Sequence, residues 1–336
     1  MARPVKKGGL SFVQIQRSSM KIMADVAGKE RKVMENYDNI ILDFRQDTDI
    51  KEEIIKWESR FENEVKMAAD AILSDKNINT VALAGPSCSG KTTTAGKLGA
   101  LLETAGRRVV SISIDDFYLE ENTASDKIYI PDYESPEALD LGMFNHFIRD
   151  IYNGNEAIAP IYDFKERKRV GMRRYVPQEN DIYIFEGIQA LYPEIYRSLD
   201  SATTKRVYIT VASSVTANGM RFEADEIRLL RRILRDYNNR ASGPEFTLRL
   251  WDAVRDNEDK RIVPQGKAAE IKINSVIPYD LYVMCTEIYD ILDTVDLYSP
   301  QYPTVSFIKK KLTRIIPYAI LESDVPADSL LHEFID

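Results

Sequence analysis

The sequence predicts an α/β protein in which a mostly parallel β-sheet is covered by helices on both faces. Short β-branched or apolar runs occur at residues 81–84, 108–114, 181–185 and 206–211, and segments with helical periodicity separate them. Strands that alternate with helices favour parallel pairing. In such sheets ligands bind at the carboxyl ends of the strands, so the residues that follow each strand are the first candidates for a site.

An amphipathic helix is predicted ahead of the first of these strands. Apolar residues recur there at spacings of three and four, namely Ile54, Trp57, Phe61, Val65, Ala68 and Ile72. We expect this helix to pack on the α/β domain as part of an N-terminal helical extension, residues 1–75. The alternative is a partner or dimer surface, so a homo-oligomer stays open.

The strand at residues 81–84 leads into the strongest motif of the chain. Gly85 is followed by four residues and then by Gly90, Lys91 and Thr92, which is the phosphate-loop spacing G-x-x-x-x-G-K-[ST]. Glycines let successive N–H groups point at phosphate oxygens, the lysine reaches the β/γ-phosphates, and the threonine hydroxyl meets Mg²⁺. A helix at 93–102 would hold the phosphates at its N-terminus.

These features predict a P-loop NTPase fold that binds ATP and Mg²⁺. The expected nucleotide-binding residues are Gly85, Ser87, Ser89, Gly90, Lys91, Thr92 and Thr93.

Carboxylates follow two further predicted strands. Asp115 and Asp116 come directly after the strand at 108–114, and Glu186 follows the strand at 181–185. Both positions suit a carboxylate that holds Mg²⁺ or its waters, or that receives a proton from an attacking hydroxyl group. The chain has no N-K-x-D motif, which counts against a GTPase.

Two basic segments are candidates for contacts with phosphate or substrate. Arg228, Arg232 and Arg235 share one face of a predicted helix at spacings of four and three. Lys165–Arg174 holds six basic residues in ten. A solvated face and a solvated hairpin are the alternatives for these two segments.

Composition and the end of the chain complete the outline. The 336 residues are 44% hydrophobic and carry a net charge of −8, which indicates a folded enzyme and argues against nucleic acid or an anionic membrane as a general partner. With two cysteines and no long apolar run, we expect a cytoplasmic protein that does not span a membrane. Helical patterns at 281–295 and 306–316 predict a helical C-terminal extension, residues 277–336.

Six motifs occur in a fixed order along the chain. They are GPSCSGKTTT (85–94), IDDFY (114–118), DYESPEALD (132–140), PIYDFKERKR (160–169), IFEGI (184–188) and RRILRDYNNR (231–240). This set resembles the uridine kinase and phosphoribulokinase family, and most closely bacterial uridine kinase-like proteins with a helical C-terminal extension. The resemblance implies a kinase domain at 76–276 with a substrate hairpin and an arginine lid.

The resemblance also implies roles for individual residues around the phosphates. Asp115 would be the catalytic base and, with Thr92 and Glu186, would hold the metal. Lys91 would assist catalysis from the phosphate loop. Two lid arginines, Arg232 and Arg235, would be catalytic, and Arg240 would bind the nucleotide.

For the substrate, the resemblance implies a pocket lined by Tyr118. Glu134 matches a position that binds ribose hydroxyls in relatives, although relatives usually carry Asp there and Asp132 is a nearby alternative. Tyr162 matches an aromatic residue that contacts the base, and Arg169 matches a family arginine.

The chain departs from the family pattern at Arg167. Relatives that phosphorylate uridine and cytidine carry a base-reading histidine five residues beyond the tyrosine, whereas this chain has Arg167 there. We therefore expect base recognition to differ.

We predict an ATP-dependent kinase that transfers the γ-phosphate to the 5′-hydroxyl of a pyrimidine nucleoside, uridine being favoured, in pyrimidine salvage. The alternatives are a kinase for another hydroxyl compound, such as a sugar phosphate or a pantothenate-like acid, and a nucleotide-binding regulatory protein without turnover. The presence of Lys91, Asp115 and Glu186 counts against the last.

Overall fold

The computed structural model describes residues 39–120 and 133–335. The strands are β1 Ile40–Leu42, β2 Thr80–Ala84, β3 Arg108–Ser113, β4 Ala157–Asp163, β5 Lys168–Tyr175, β6 Asp181–Glu186, β7 Thr204–Thr210, β8 Val215–Ala217, β9 Met220–Phe222 and β10 Ile271–Asn274. The α-helices are α1 Ile50–Leu73, α2 Lys91–Thr104, α3 Leu141–Tyr152, α4 Pro193–Tyr196, α5 Ala224–Arg240, α6 Pro244–Asn257, α7 Val263–Ala268, α8 Asp280–Asp293, α9 Tyr302–Leu312 and α10 His332–Ile335.

Five strands form a parallel sheet in the order β10–β7–β2–β6–β3. The central strand β2 pairs with β6 on one side and β7 on the other, and all five of its residues are buried. A strand buried on both faces is typical of a parallel sheet covered by helices. The predicted α/β fold class is confirmed.

The register of this sheet determines which side chains meet at its carboxyl edge. Leu83 of β2 and Ser113 of β3 both lie opposite Glu186 at the end of β6. The chain leaves β2 into the phosphate loop and leaves β3 into a short 3₁₀ turn, Ile114–Phe117. The phosphate loop, Asp115 and Glu186 therefore lie next to one another at the carboxyl edge of the sheet.

The helix predicted ahead of the sheet is α1. Asp49 caps it by accepting hydrogen bonds from the backbone N–H groups of Lys51 and Glu52. Phe61 and Ile72 on its inner face are buried in the same hydrophobic core as the sheet. Packing of α1 on the α/β domain, as expected, accounts for its apolar face.

Helix α5 buries two guanidinium groups beside its apolar residues. Arg231 is fully buried, donates from Nε to Asp280 Oδ2 at 2.8 Å, and lies 5.0 Å from the ring centre of Phe334. Arg228 makes a two-pronged ion pair with Glu258, with both nitrogen–oxygen distances at 2.7 Å. These pairs join α5 to α8 and to the π-helical turn at 258–262.

The end of the chain differs in detail from the sequence-based expectation. Helix α9 begins at Tyr302, four residues earlier than expected, because Pro303 lies in its first turn, where a missing N–H group is tolerated. The C-terminal residues Leu330 and Phe334 are fully buried in the core that includes α1 and the sheet. The domain boundaries at residues 75 and 276 stay predictions.

Four short strands were not predicted from the sequence. Strands β1, β8, β9 and β10 have three or four residues each, too few to show an alternating pattern. Strand β10 extends the main sheet by pairing with β7, and β1, β8 and β9 form a separate three-stranded sheet. Among the residues described, no helix is long and apolar enough to cross a membrane.

We expect Asp280→Ala to lower the free energy of unfolding by about 3–5 kcal/mol, because it leaves the buried Arg231 guanidinium without its carboxylate partner. Equilibrium unfolding in denaturant measures the change. The matched control is Asp70→Ala, which removes the exposed Lys66–Asp70 pair and should cost at most about 1 kcal/mol. Equal effects from the two substitutions would contradict a structural role for the buried pair.

Candidate active site

The phosphate loop, residues 85–92, is folded by two left-handed residues and one close backbone approach. Cys88 and Gly90 have φ angles of +58° and +83°. A Cβ atom on Gly85 would lie 2.1 Å from the carbonyl oxygen of Ile209, so no larger residue fits there. Lys91 donates from Nζ to the carbonyl oxygen of Pro86 at 3.1 Å, which keeps the ammonium group over the loop.

The two carboxylates at the strand ends are buried beside this lysine. Burial, with the negative charge of Asp115 second, raises the pKa of Glu186 to about 7, and Lys91 acts in the opposite direction. Burial also raises the pKa of Asp115, again opposed by Lys91. Oδ1 of Asp115 is buried without a hydrogen-bond partner. Two close, desolvated carboxylates of this kind are suited to a cation.

A hydroxyl group and two carboxylates form the candidate metal set, Thr92, Asp115 and Glu186. Magnesium prefers oxygen ligands and usually keeps water molecules and substrate phosphates as further ligands, so these residues fit it. Residues 39–120 and 133–335 contain no group of three or more His, Cys, Asp or Glu side chains arranged to hold a metal ion. The unpartnered Oδ1 of Asp115 is the observation that supports the fit.

A cavity of about 630 Å³ lies between the phosphate loop, the carboxylates, the β4–β5 hairpin and helices α5 and α6. It brings together many of the site residues predicted from the sequence. Those that line it are Ser87, Lys91, Thr92, Asp115, Tyr118, Glu134, Arg167, Glu186, Arg232, Arg235 and Arg240. Gly85, Ser89 and Gly90 are buried in the loop beneath it.

Some arginines of α5 face the cavity and others support the fold. The side chains of Arg232 and Arg235 are 12% exposed and face the cavity, so the solvated-face alternative does not hold for them. Arg228 does not line the cavity with them, which corrects its selection with these two arginines as a candidate for contact with phosphate or substrate. Arg228 is drawn away by the buried Glu258, and it donates to the carbonyl oxygen of Ser87 at 3.1 Å, which supports the loop from behind.

Asp236, which the sequence analysis did not select, organises the cavity-facing arginines. It lies 3.3 Å from Arg232, 2.8 Å from Arg235 and 3.9 Å from Arg240. Burial acts to raise the pKa of Asp236, but the three arginines together lower it, Arg235 most strongly. The spacing of four residues from Arg232 and from Arg240 was the sequence signal for this role.

Arg240 also lies against the hairpin. Its guanidinium carbon is 4.8 Å from the ring centre of Phe164. The basic segment at 165–174 contributes the turn and strand β5 of this antiparallel hairpin, and Arg167 has a φ of +53° in the turn. Residues other than glycine are uncommon in this left-handed conformation. The turn places exposed Arg167 at the rim of the cavity.

Tyr162 and Arg169 do not line the cavity, and substrate contacts from them stay a prediction. Tyr162 lies behind Tyr118, with ring centres 5.6 Å apart. Arg169 donates to the carbonyl oxygen of Tyr118 at 3.2 Å and to Asp140 Oδ2 at 3.1 Å, so it ties β5 to the start of α3. Both side chains support the pocket wall. Asp132 lies outside the described residues.

Further residues shape the site without having been predicted. Buried Gln189 donates from Nε2 to the hydroxyl oxygen of Tyr118 at 3.0 Å and to the carbonyl oxygen of Tyr133 at 2.6 Å, which fixes two aromatic walls. Phe246 and Leu250 of α6 form an apolar wall. Their helical spacing is visible in the sequence, but which side of the site they cover is not.

Glu333 of α10 also reaches the phosphate loop. It accepts hydrogen bonds from the N–H group and hydroxyl of Thr93, at 3.3 Å and 3.1 Å, and it lines the cavity. The sequence analysis did not select it as a site residue, because the contact joins residues 240 positions apart.

Comparisons with known proteins show the family of the chain. A model of the phosphoribulokinase/uridine kinase family matches residues 80–281. The chain is 29% identical over 201 residues to uridine-cytidine kinase C of Dictyostelium discoideum, covering 60% of this chain and 39% of that protein. It is 27% identical over 195 residues to uridine kinase of Ureaplasma urealyticum, covering 57% and 86% respectively.

Among solved structures, the phosphoribulokinase from Rhodobacter spheroides matches with a TM-score of 0.41 and 14% identity, covering 59% of this chain and 70% of that one. The chain spans about a third to a half of the length of the first curated relatives that it matches.

The raised pKa of Glu186 predicts that the ligand-free protein loses stability as pH rises. The folded protein holds this proton up to about pH 7, whereas the unfolded chain releases it near the ordinary value of 4.5. The contribution of this proton to the free energy of unfolding is therefore complete below pH 4.5 and is lost as pH rises through about 7. Glu186→Gln, which cannot ionise, should be more stable than the wild type at pH 8 and should show a flatter profile.

Thermal unfolding of both proteins between pH 5 and 8, without nucleotide or metal, measures this difference. Adding Mg²⁺ and ADP should restore stability to the wild type at pH 8. Parallel profiles for the two proteins would show that Glu186 titrates normally.

Proposed function

Because the chain belongs to the phosphoribulokinase/uridine kinase family, we propose that it transfers the γ-phosphate of ATP to a hydroxyl group of a small molecule. The observation that carries the proposal is that Lys91, Thr92, Asp115 and Glu186 line the same cavity. We further propose that the acceptor is the 5′-hydroxyl of a pyrimidine nucleoside, with uridine favoured.

Charge and position account for most of the catalysis in this proposal. Phosphoryl transfer requires in-line positioning and neutralisation of charge on the transferred group. Lys91 would neutralise the β/γ-phosphates from the loop, and Arg232 and Arg235 would do so from α5. Thr92, Asp115 and Glu186 would hold Mg²⁺, which when bound supplies further neutralisation of the phosphates.

Asp115 is the candidate general base. Its raised pKa makes it a better proton acceptor than an ordinary aspartate, and it lines the cavity close enough to Lys91 for the two charges to interact. The proton of the attacking hydroxyl would pass to its carboxylate while Lys91 and the arginines hold the phosphates. The apolar wall of α6 would reduce the access of water, so that ATP is not simply hydrolysed.

The other part of the cavity supports a planar acceptor. Tyr118, Tyr133 and Phe164 pack edge to face with ring centres 5.0–6.0 Å apart and line the cavity. Such walls suit an aromatic ring. Glu134, 3.5 Å from Arg232, faces the same space and could accept hydrogen bonds from ribose hydroxyls. The uridine and uridine-cytidine kinases among the relatives support the same choice.

A second candidate acceptor is an anionic hydroxyl compound, such as a sugar phosphate or a pantothenate-like acid. The observation that favours it is Arg167, which brings a cation to the cavity rim where the family resemblance implied a base-reading histidine. A non-catalytic nucleotide-binding role is the remaining alternative. A panel of nucleosides, sugar phosphates and pantothenate, assayed for acceptor-dependent release of ADP, distinguishes the three.

We expect Asp115→Asn to lower kcat by about 10²- to 10⁴-fold, because the amide cannot accept the proton of the attacking hydroxyl. ATP binding should weaken much less, since Lys91 and the loop backbone are unchanged. Steady-state kinetics and calorimetric titration with ATP separate the two effects. Asp116→Asn is the matched control, because Asp116 accepts the backbone N–H of Tyr162 and does not line the cavity. Comparable losses in both variants would remove Asp115 from the role of base.

If the acceptor is a pyrimidine nucleoside, Arg167 should favour uridine over cytidine. A guanidinium group donates to the O2 or O4 carbonyl but cannot accept from the amino group of cytosine, whereas a neutral imidazole can do either. An unpaired polar group should make the difference about 1–3 kcal/mol. Arg167→His should narrow the ratio of the two kcat/KM values. Equal use of both nucleosides by the wild type would show that Arg167 does not read the base.

A further inference from the structure

A carboxylate from the end of the described chain is bound at the first turn of α2, directly after the phosphate loop. Glu333 Oε2 accepts from the backbone N–H of Thr93 at 3.3 Å and from the hydroxyl of Thr93 at 3.1 Å. Thr93 lies in the first turn of α2, a helix of 14 residues, where the positive end of the helix dipole favours an anion. In a phosphate loop these are donors that a nucleotide phosphate would use.

The segment that carries Glu333 is firmly packed. We call residues 326–335 the C-terminal segment. Its Leu330 lies against Gly90, where a Cβ atom would be 2.1 Å from Leu330 Cδ1. Ser329 donates to the buried Glu58 at 2.6 Å, and Asp328 pairs with Lys97 of α2 at 2.8 Å. The carboxylate is thus held at the loop by a built structure.

The same segment contacts the helix that carries the cavity-facing arginines. Phe334 is fully buried, and the guanidinium of Arg231 on α5 lies over its ring. The negative charge of Glu333 also helps to raise the pKa of Glu186 inside the cavity, although burial and the charge of Asp115 contribute more. The contact therefore links the phosphate loop, the carboxylates and α5.

We propose that Glu333 is an autoinhibitory occupant of the nucleotide site: its carboxylate takes the place of a phosphate on Thr93, and a nucleotide binds by displacing it. The proposal rests on the proposed function, since it assumes that the loop binds a nucleotide. A carboxylate and a phosphate do not share one N–H donor, because two anions at that distance repel each other in a partly buried site. Nucleotide binding then requires the C-terminal segment to shift.

The first test compares ADP affinity by calorimetric titration for the wild type, Glu333→Gln, Glu333→Ala and the control Asp328→Asn. Removing the carboxylate raises the fraction of chains with a vacant phosphate site, so both Glu333 variants should bind ADP about three- to tenfold more tightly. Asp328→Asn alters the same segment, but Lys97 keeps Glu62 as a neighbour at 3.8 Å. Its ADP affinity should stay within about twofold of the wild type.

Tripolyphosphate, which has no base or ribose, should show the same order of affinities. If the wild type binds ADP and the Glu333 variants bind it no more tightly, the proposal is overturned and the proposed function stands. If no variant binds ADP, both fall.

The second test measures hydrogen exchange of the C-terminal segment. Saturating ADP should speed exchange of the backbone amides at residues 329–335 in the wild type, because displacement of Glu333 releases the segment. Unchanged or slower exchange at these amides would show that the nucleotide binds without releasing the segment, and the proposal would fail.

Discussion

Burial of the central strand β2 is the constraint on which the rest of the structure depends. Its backbone groups pair with β6 on one side and β7 on the other, as the burial of all five residues requires. That pairing fixes the point at which the chain turns into the phosphate loop. Glu186 then lies beside the loop through the β2–β6 register, and Asp115 follows through the β3–β6 register. The candidate active site is a consequence of strand pairing.

A second constraint comes from burying charge at this edge. Desolvated carboxylates at Asp115 and Glu186 need nearby cations, which Lys91 of α2 and the arginines of α5 supply. The arginines in turn need a carboxylate when no ligand is present, and Asp236 gives them one. Helix α5 carries charges for both purposes, so its position must be fixed. The buried Arg228–Glu258 and Arg231–Asp280 pairs anchor it without using the residues that face the cavity.

The sequence predicted the parts of the site that local spacing encodes. The phosphate loop, Asp115 and Glu186 follow from a motif and from strand ends, and the structure brings them together. Contacts between distant segments were not predictable in this way. Arg169 matched a family motif, yet it pairs with Asp140 at the start of α3 and does not line the cavity. Glu333 was not selected as a site residue, because its place depends on how residues 326–335 pack against the loop and α2.

The charges that face the cavity limit what it can bind. Those of positive sign are Lys91, Arg167, Arg232, Arg235 and Arg240, and those of negative sign are Asp115, Glu134, Glu186, Asp236 and Glu333. A polyphosphate adds several negative charges beside these carboxylates, so the cavity holds it poorly unless some of them are neutralised or withdrawn.

The carboxylates of the cavity differ in how they can be neutralised or withdrawn. Asp115 and Glu186 are fixed at strand ends beside Thr92, where a bound Mg²⁺ would neutralise them, and Asp236 is held by its arginines. Glu333 belongs to neither arrangement and is carried by a segment outside the sheet. Withdrawal of that segment would remove one negative charge from the cavity and free both donors of Thr93 in the same movement. A single displacement would thus change both the charge and the hydrogen-bonding capacity of the site in favour of an anionic ligand.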